Sequence, residues 1–141
     1  MEYKIAEENG REGHCAQGIQ AQINLGLKQG YAGFVQEKKE VMDFLTDLYK
    51  EALTDGRSFL PFVVTESVIT YAFMGDDGPV GAHEPALLLT SNKSPLYAAD
   101  QSEEDWKIFV EGYAKKLAEA FKQFRVYVSY TRVETKIFQQ C

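Results

Sequence analysis

Cysteine is nearly absent: among 141 residues only Cys15 and Cys141 occur, with no close spacing of the zinc or redox kind. A disulfide-stapled scaffold is thereby excluded, and free thiols are expected. Histidine is as scarce, with only His14 and His83. His14-Cys15 could offer two soft metal ligands, but a closed tetrahedral site needs more, so neither a metal nor a cofactor is expected. Long apolar runs are missing too. The longest, around Phe59–Val64 and Ala86–Leu89, fall far short of the roughly 20 residues that span a bilayer, so no membrane partner is expected. Residues 1–13 carry Glu2, Glu7, Glu8 and Glu12 and no apolar stretch of the secretory kind, which reads as a cytoplasmic protein.

Positive charge is also short. Fifteen Lys and Arg against 21 Asp and Glu give a net charge of −6, which sets nucleic acid aside as a partner. The imbalance is uneven: residues 107–141 hold seven basic and three acidic residues, +4, leaving −10 for residues 1–106. Four basic side chains on one long helix read as a solvated face. No motif names a reaction. Ser91-Asn92-Lys93-Ser94-Pro95 could hold an anion but lacks the glycines of a phosphate-binding loop, and a plain turn is the simpler reading. Asp76-Asp77-Gly78 lacks the spacing of calcium ligands and reads as a turn.

What is present is a core. Hydrophobic residues make up 45% of the chain, enough for one domain of this size to fold without staples. Residues 1–18 read as a polar leader and residues 19–141 as a single domain. From Gln20 the sequence alternates, Ala21, Ile23, Leu25 and Leu27 against Gln20, Gln22, Asn24 and Gly26, the mark of a strand with one buried face. After Gly30 and Gly33, spacings of three and four predict a helix over about 36–54, stopped by Asp55-Gly56. Phe59–Phe73 reads as a strand with Pro61 at its start, and Glu84–Ser91 as a short third strand. Ser102 followed by Glu103, Glu104 and Asp105 announces a second helix, with Trp106, Phe109, Val110, Tyr113, Leu117, Ala120, Phe121 and Phe124 on its core face. Arg125–Phe138 closes the chain as a strand.

The order strand–helix–strand–strand–helix–strand predicts an α+β ferredoxin-like sandwich, a four-stranded antiparallel sheet with two helices on one face. The same order occurs in tautomerase-like subunits, but their amino-terminal catalytic proline has no counterpart at Glu2, so that activity is not carried over. The helix-free face should be rich in amides and hydroxyls. Gln22, Asn24, Tyr71, Tyr127, Ser129 and Asn92 are the candidate ligand contacts there, with Arg125 and Arg132 at strand ends for an anionic group. His83 and Glu84, placed in a connection, are the candidate acid–base pair. From these features the leading expectation is a non-catalytic, homo-oligomeric protein that senses or sequesters a polar or nucleotide-like metabolite. The alternatives are a cofactor-free isomerase or lyase and an acidic interaction or inhibitor module.

Overall fold

A computed structural model of the chain describes residues 1–29, 33–97 and 99–141. Gly30, expected to punctuate a loop, lies outside the described residues. In chain order the elements are β1 (Tyr3–Ile5), β2 (Glu7–Glu8), β3 (Arg11–Glu12), β4 (His14–Gly26), α1 (Lys38–Thr54), β5 (Val63–Gly75), β6 (Gly78–Asn92), α2 (Glu103–Ala120), β7 (Tyr127–Lys136) and β8 (Phe138–Gln140).

The predicted alternation of β4 places Ile19, Ala21, Ile23 and Leu25 in the core. Because a strand has period two, Gln20, Gln22 and Asn24 necessarily face the other way. β4 is paired on both sides, antiparallel to β6 and to β7, and β5 continues the sheet beyond β6, giving the order β5-β6-β4-β7. Ile23 stands opposite both Leu89 and Val128, so the apolar positions of three strands fall on one side.

Both helices cover that side. Val41 and Leu45 of α1 join Trp106, Val110, Tyr113 and Leu117 of α2 in one buried cluster with the sheet. Aromatic pairs link the helices: Phe44 meets Phe121 at 5.6 Å and Tyr49 meets Tyr113 at 6.2 Å between ring centres. The predicted cap of α2 is made, Ser102 Oγ accepting from the Asp105 N–H at 3.1 Å. Gly56, at φ +69°, takes the left-handed turn that ends α1. Among the described residues, no helix is long and apolar enough to cross a membrane.

Several expectations are corrected. Residues 1–18 are not a loose leader: β1 pairs with β8, and β2 with β3 around a tight Asn9-Gly10 turn in which both residues have positive φ. The first long strand begins at His14, since its polar residues pair with β7, whose own alternation supplies the register. Phe59–Phe62 is not strand. Pro61 cannot donate to a ladder, and its neighbours' N–H groups go to tyrosine hydroxyls instead, Leu60 to Tyr113 and Phe62 to Tyr49. The short third strand at Glu84–Ser91 is in fact 15 residues long, forming with β5 a hairpin that projects past the end of β4. Phe124, expected in the core, is 95% exposed. Lys122, at φ +53°, turns the chain out of the helix before it.

Two outcomes follow. Leu117 is completely buried, so Leu117→Ala should lose roughly 2–5 kcal/mol in denaturant unfolding. Burial pushes the Tyr49 hydroxyl up to about 12 from an ordinary 10.0. The folded state therefore holds that proton more tightly than the unfolded chain, and stability present below pH 10 is lost as pH rises toward 12. Tyr49→Phe should melt lower at neutral pH, having lost the contact to Phe62, and should show a shallower fall between pH 10 and 12.

Candidate functional site

The sheet narrows where β4 ends. β4 stops pairing with β6 at Gly26, opposite Ala86, while the β5–β6 hairpin runs on and β7 begins at Tyr127. On the helix-free side of this corner lies a cavity of about 560 Å³, a size suited to a small organic ligand. All four strands of the sheet contribute to it: Asn24 and Gly26 from β4, Ile69 and Tyr71 from β5, Glu84 from β6 and Tyr127 from β7. Lys28, just after β4, and the loop residues Gln123, Phe124 and Arg125 complete the wall.

Register explains why these residues meet. Asn24 is directly opposite Tyr127, and Ile69 directly opposite Glu84. Tyr71, two residues on from Ile69, returns to the same face. One wall is thus aromatic and apolar, while Asn24, Glu84, Lys28 and Arg125 supply one amide, one carboxylate and two cations. Asn24 Oδ1 is buried with no hydrogen-bond partner among the described residues. A satisfied protein interior leaves few such atoms, and here the orphan acceptor sits in a cavity large enough to admit a donor. The Gly26 side of the cavity is close-built, since a Cβ there would come within 2.8 Å of Gln123 Oε1 and 3.3 Å of Glu84 Oε1. The loop after α2 is braced: Gln123 Nε2 donates to the Lys28 carbonyl at 2.9 Å and to the Phe121 carbonyl at 3.1 Å.

The candidate contacts are only partly brought together. Asn24, Tyr71, Tyr127 and Arg125 line the cavity, and Glu84 joins them. Gln22 and Ser129 stand opposite each other on the same face, one step further along β4 and β7. Asn92 lies four residues along the ladder from Leu88, the partner of Asn24, and its Oδ1 accepts from Gln20 Nε2 at 2.9 Å. Arg132 is on the other face. It stands opposite Ile19 and forms a double contact with Glu103 at 2.6 and 2.7 Å, at the amino end of α2. That guanidinium holds the Glu103 carboxyl below its ordinary range.

His83 and Glu84 belong to a strand, not a connection, so they project to opposite faces and cannot act as a pair. Ser91 and Asn92 are the last residues of β6 and not part of a turn; the chain leaves the sheet at Lys93, and Ser94 Oγ accepts from the N–H groups of Leu96 and Tyr97. Among the described residues no cluster of His, Cys, Asp and Glu could hold a metal ion.

Sequence reasoning did not single out Lys28, Ile69, Gln123 or Phe124. No signal marked the first three, which owe their place to the meeting of distant segments. Phe124 was hidden by its helical spacing from Phe121.

No protein-family model matches the chain, and no curated protein matches it. Among solved structures, a phage SAM lyase in complex with S-methyl-5'-thioadenosine aligns with a TM-score of 0.54 at 20% identity, covering 87% of this chain and 91% of that one. A phage SAM lyase in the apo state aligns with a TM-score of 0.55 at 17% identity, covering 98% of each chain. The likeness is one of fold, over nearly the whole chain. It overturns the leading expectation of a non-catalytic binding protein, because the neighbours are enzymes.

Proposed function

We propose that this protein is a lyase acting on SAM, the sulfonium compound S-adenosylmethionine, at the cavity on the helix-free face. The observation that carries the reading is the cavity's make-up: the orphan acceptor Asn24 Oδ1 and the lone carboxylate Glu84 beside an aromatic wall, on a fold shared with SAM lyases. Such a substrate offers a purine for the aromatic wall, an ammonium for Glu84 and a carboxylate for Lys28.

The chemistry suits these walls. S-methyl-5'-thioadenosine is what remains when the bond between sulfur and the amino-acid side chain of SAM breaks with both electrons going to sulfur. The sulfonium charge disappears in that step, so a wall that solvates charge poorly favours the transition state over the bound cation. Without a second substrate, the four-carbon fragment either closes its own carboxylate onto the γ carbon or gives up a β proton to a base. In the first route Glu84 holds the substrate ammonium; in the second it is the one carboxylate among the cavity's lining residues able to take the proton. A cyclic ester or an alkene among the products tells the routes apart.

The strand order β5-β6-β4-β7, with both helices on one side, supports the ferredoxin-like assignment. Homo-oligomer formation is supported by the projecting hairpin, on which Val68 is 63% and Met74 75% exposed. Light scattering should give a mass above that of one chain.

Purified protein incubated with SAM should release S-methyl-5'-thioadenosine, detected by mass spectrometry. Glu84→Gln should slow release by roughly 100-fold or more while melting within a few degrees of wild type, since Glu84 has no ion-pair partner among the described residues. Combining Asn24→Ala with Tyr127→Ala should weaken retention of the thioadenosine strongly and stability little. Asn24 Oδ1 has no hydrogen-bond partner to lose among the described residues, and Tyr127 is 58% exposed.

A further inference from the structure

Phe124 is the anomaly of the molecule. Phe124 is 95% exposed, yet the backbone just before it is held at several points. Lys122 N–H donates to the Glu119 carbonyl and Gln123 N–H to the Ala118 carbonyl, which ties the loop to the end of α2. Gln123 Nε2 then straps it to the chain leaving β4, through the Lys28 carbonyl. The strap fits because residue 26 has no side chain: a Cβ there would meet Gln123 Oε1 at 2.8 Å, and Gln123 cannot retreat without giving up its contacts. The ring of Phe124 is thereby fixed at the cavity wall, with the Arg125 guanidinium over it at 5.7 Å.

We infer that Phe124 is the stacking platform for the purine of the substrate and that Gln123, seated against Gly26, is the positioning residue that holds it there. The inference rests on the SAM-lyase reading and adds to it the assignment of the purine end. A flat heteroaromatic ring placed on an exposed phenylalanine covers apolar surface that would otherwise face water, with no demand on hydrogen-bond direction. Fixing the ring beforehand removes the ordering cost that a loose loop would levy on binding. Phe124 lies at the opposite side of the reacting bond from Glu84 in this assignment, so the two ends of the ligand are read by different parts of the chain: Glu84 on the sheet, Phe124 on the loop.

The test is steady-state kinetics on SAM, together with amide hydrogen exchange. Phe124→Ala should raise KM about tenfold or more and change kcat by less than about threefold, as expected for lost base stacking remote from the bond that breaks. Gln123→Glu, which keeps the size but cannot donate to two carbonyls, should raise KM similarly and speed exchange of the Lys122 and residue-123 amides, which bond to the Glu119 and Ala118 carbonyls. Gly26→Ala should reproduce the faster exchange, and adding it to Gln123→Ala should speed exchange no further, since both remove the same strap; exchange is the readout for this pair because a Cβ at residue 26 also comes within 3.3 Å of Glu84 Oε1. An unmoved KM in Phe124→Ala, with wild-type turnover intact, overturns the inference alone. Additive effects of Gly26→Ala and Gln123→Ala on exchange, or unchanged exchange at residues 122 and 123 in Gln123→Glu, overturn the role of the strap. Wild-type protein that leaves SAM intact and does not retain S-methyl-5'-thioadenosine overturns the functional reading and the platform with it.

Discussion

The burial of one face of β4 is the constraint on which the rest depends. β4, like β6 beside it, is paired on both sides along its inner half, and Ala21, Ile23 and Leu25 are completely buried beneath the helices. A shift of one residue would bring Gln22 and Asn24 into the apolar cluster and expel these three, so the register is held by several kcal/mol of burial, of the order of 1.5–3 per large side chain. The same constraint directs Asn24 to the helix-free side, where it stands opposite Tyr127. Core and cavity are two faces of a single alternation.

That coupling explains why the helix side and the site obey different rules. On the helix side one apolar cluster is buried between helices and sheet, aromatic edges interlock and the amino end of α2 is capped. On the other side an amide oxygen is left without a partner and a phenylalanine is left in water. Proteins commonly place such local violations where a ligand resolves them. Here both violations fall on one cavity, which is the physical ground for reading it as the site.

Much of this was legible in the residues. Alternation in Gln20–Leu27 and Val126–Thr131, and the Ser102 cap, identify elements by local periodicity, and each appears with the faces that the periods require. Asn24 and Tyr127 could be nominated for the same reason, because parity within a strand selects a face before any tertiary structure is known; Arg125, like Arg132, was nominated by its place at a strand end. Parity failed for Arg132, which was chosen by its place at a strand end and not by its face. The hairpin was underread because Gly78, Pro79, Gly81 and Pro85 look like turn residues, although β6 has β4 as a partner only from Ala86 onward and tolerates proline beyond it. The strap from Gln123 to Lys28 spans 95 positions, and no local pattern carries information over that distance.

The central claim is that the helix-free cavity takes the thioadenosine end of a sulfonium substrate. The most direct measurement is a crystal structure of the protein grown with S-methyl-5'-thioadenosine. The account predicts the nucleoside in the corner where β4 ends, its purine against Phe124 and a donor group on Asn24 Oδ1, with the sulfur pointing toward Glu84. A nucleoside bound between the two helices, or against the far end of the sheet near Asn92, would contradict it.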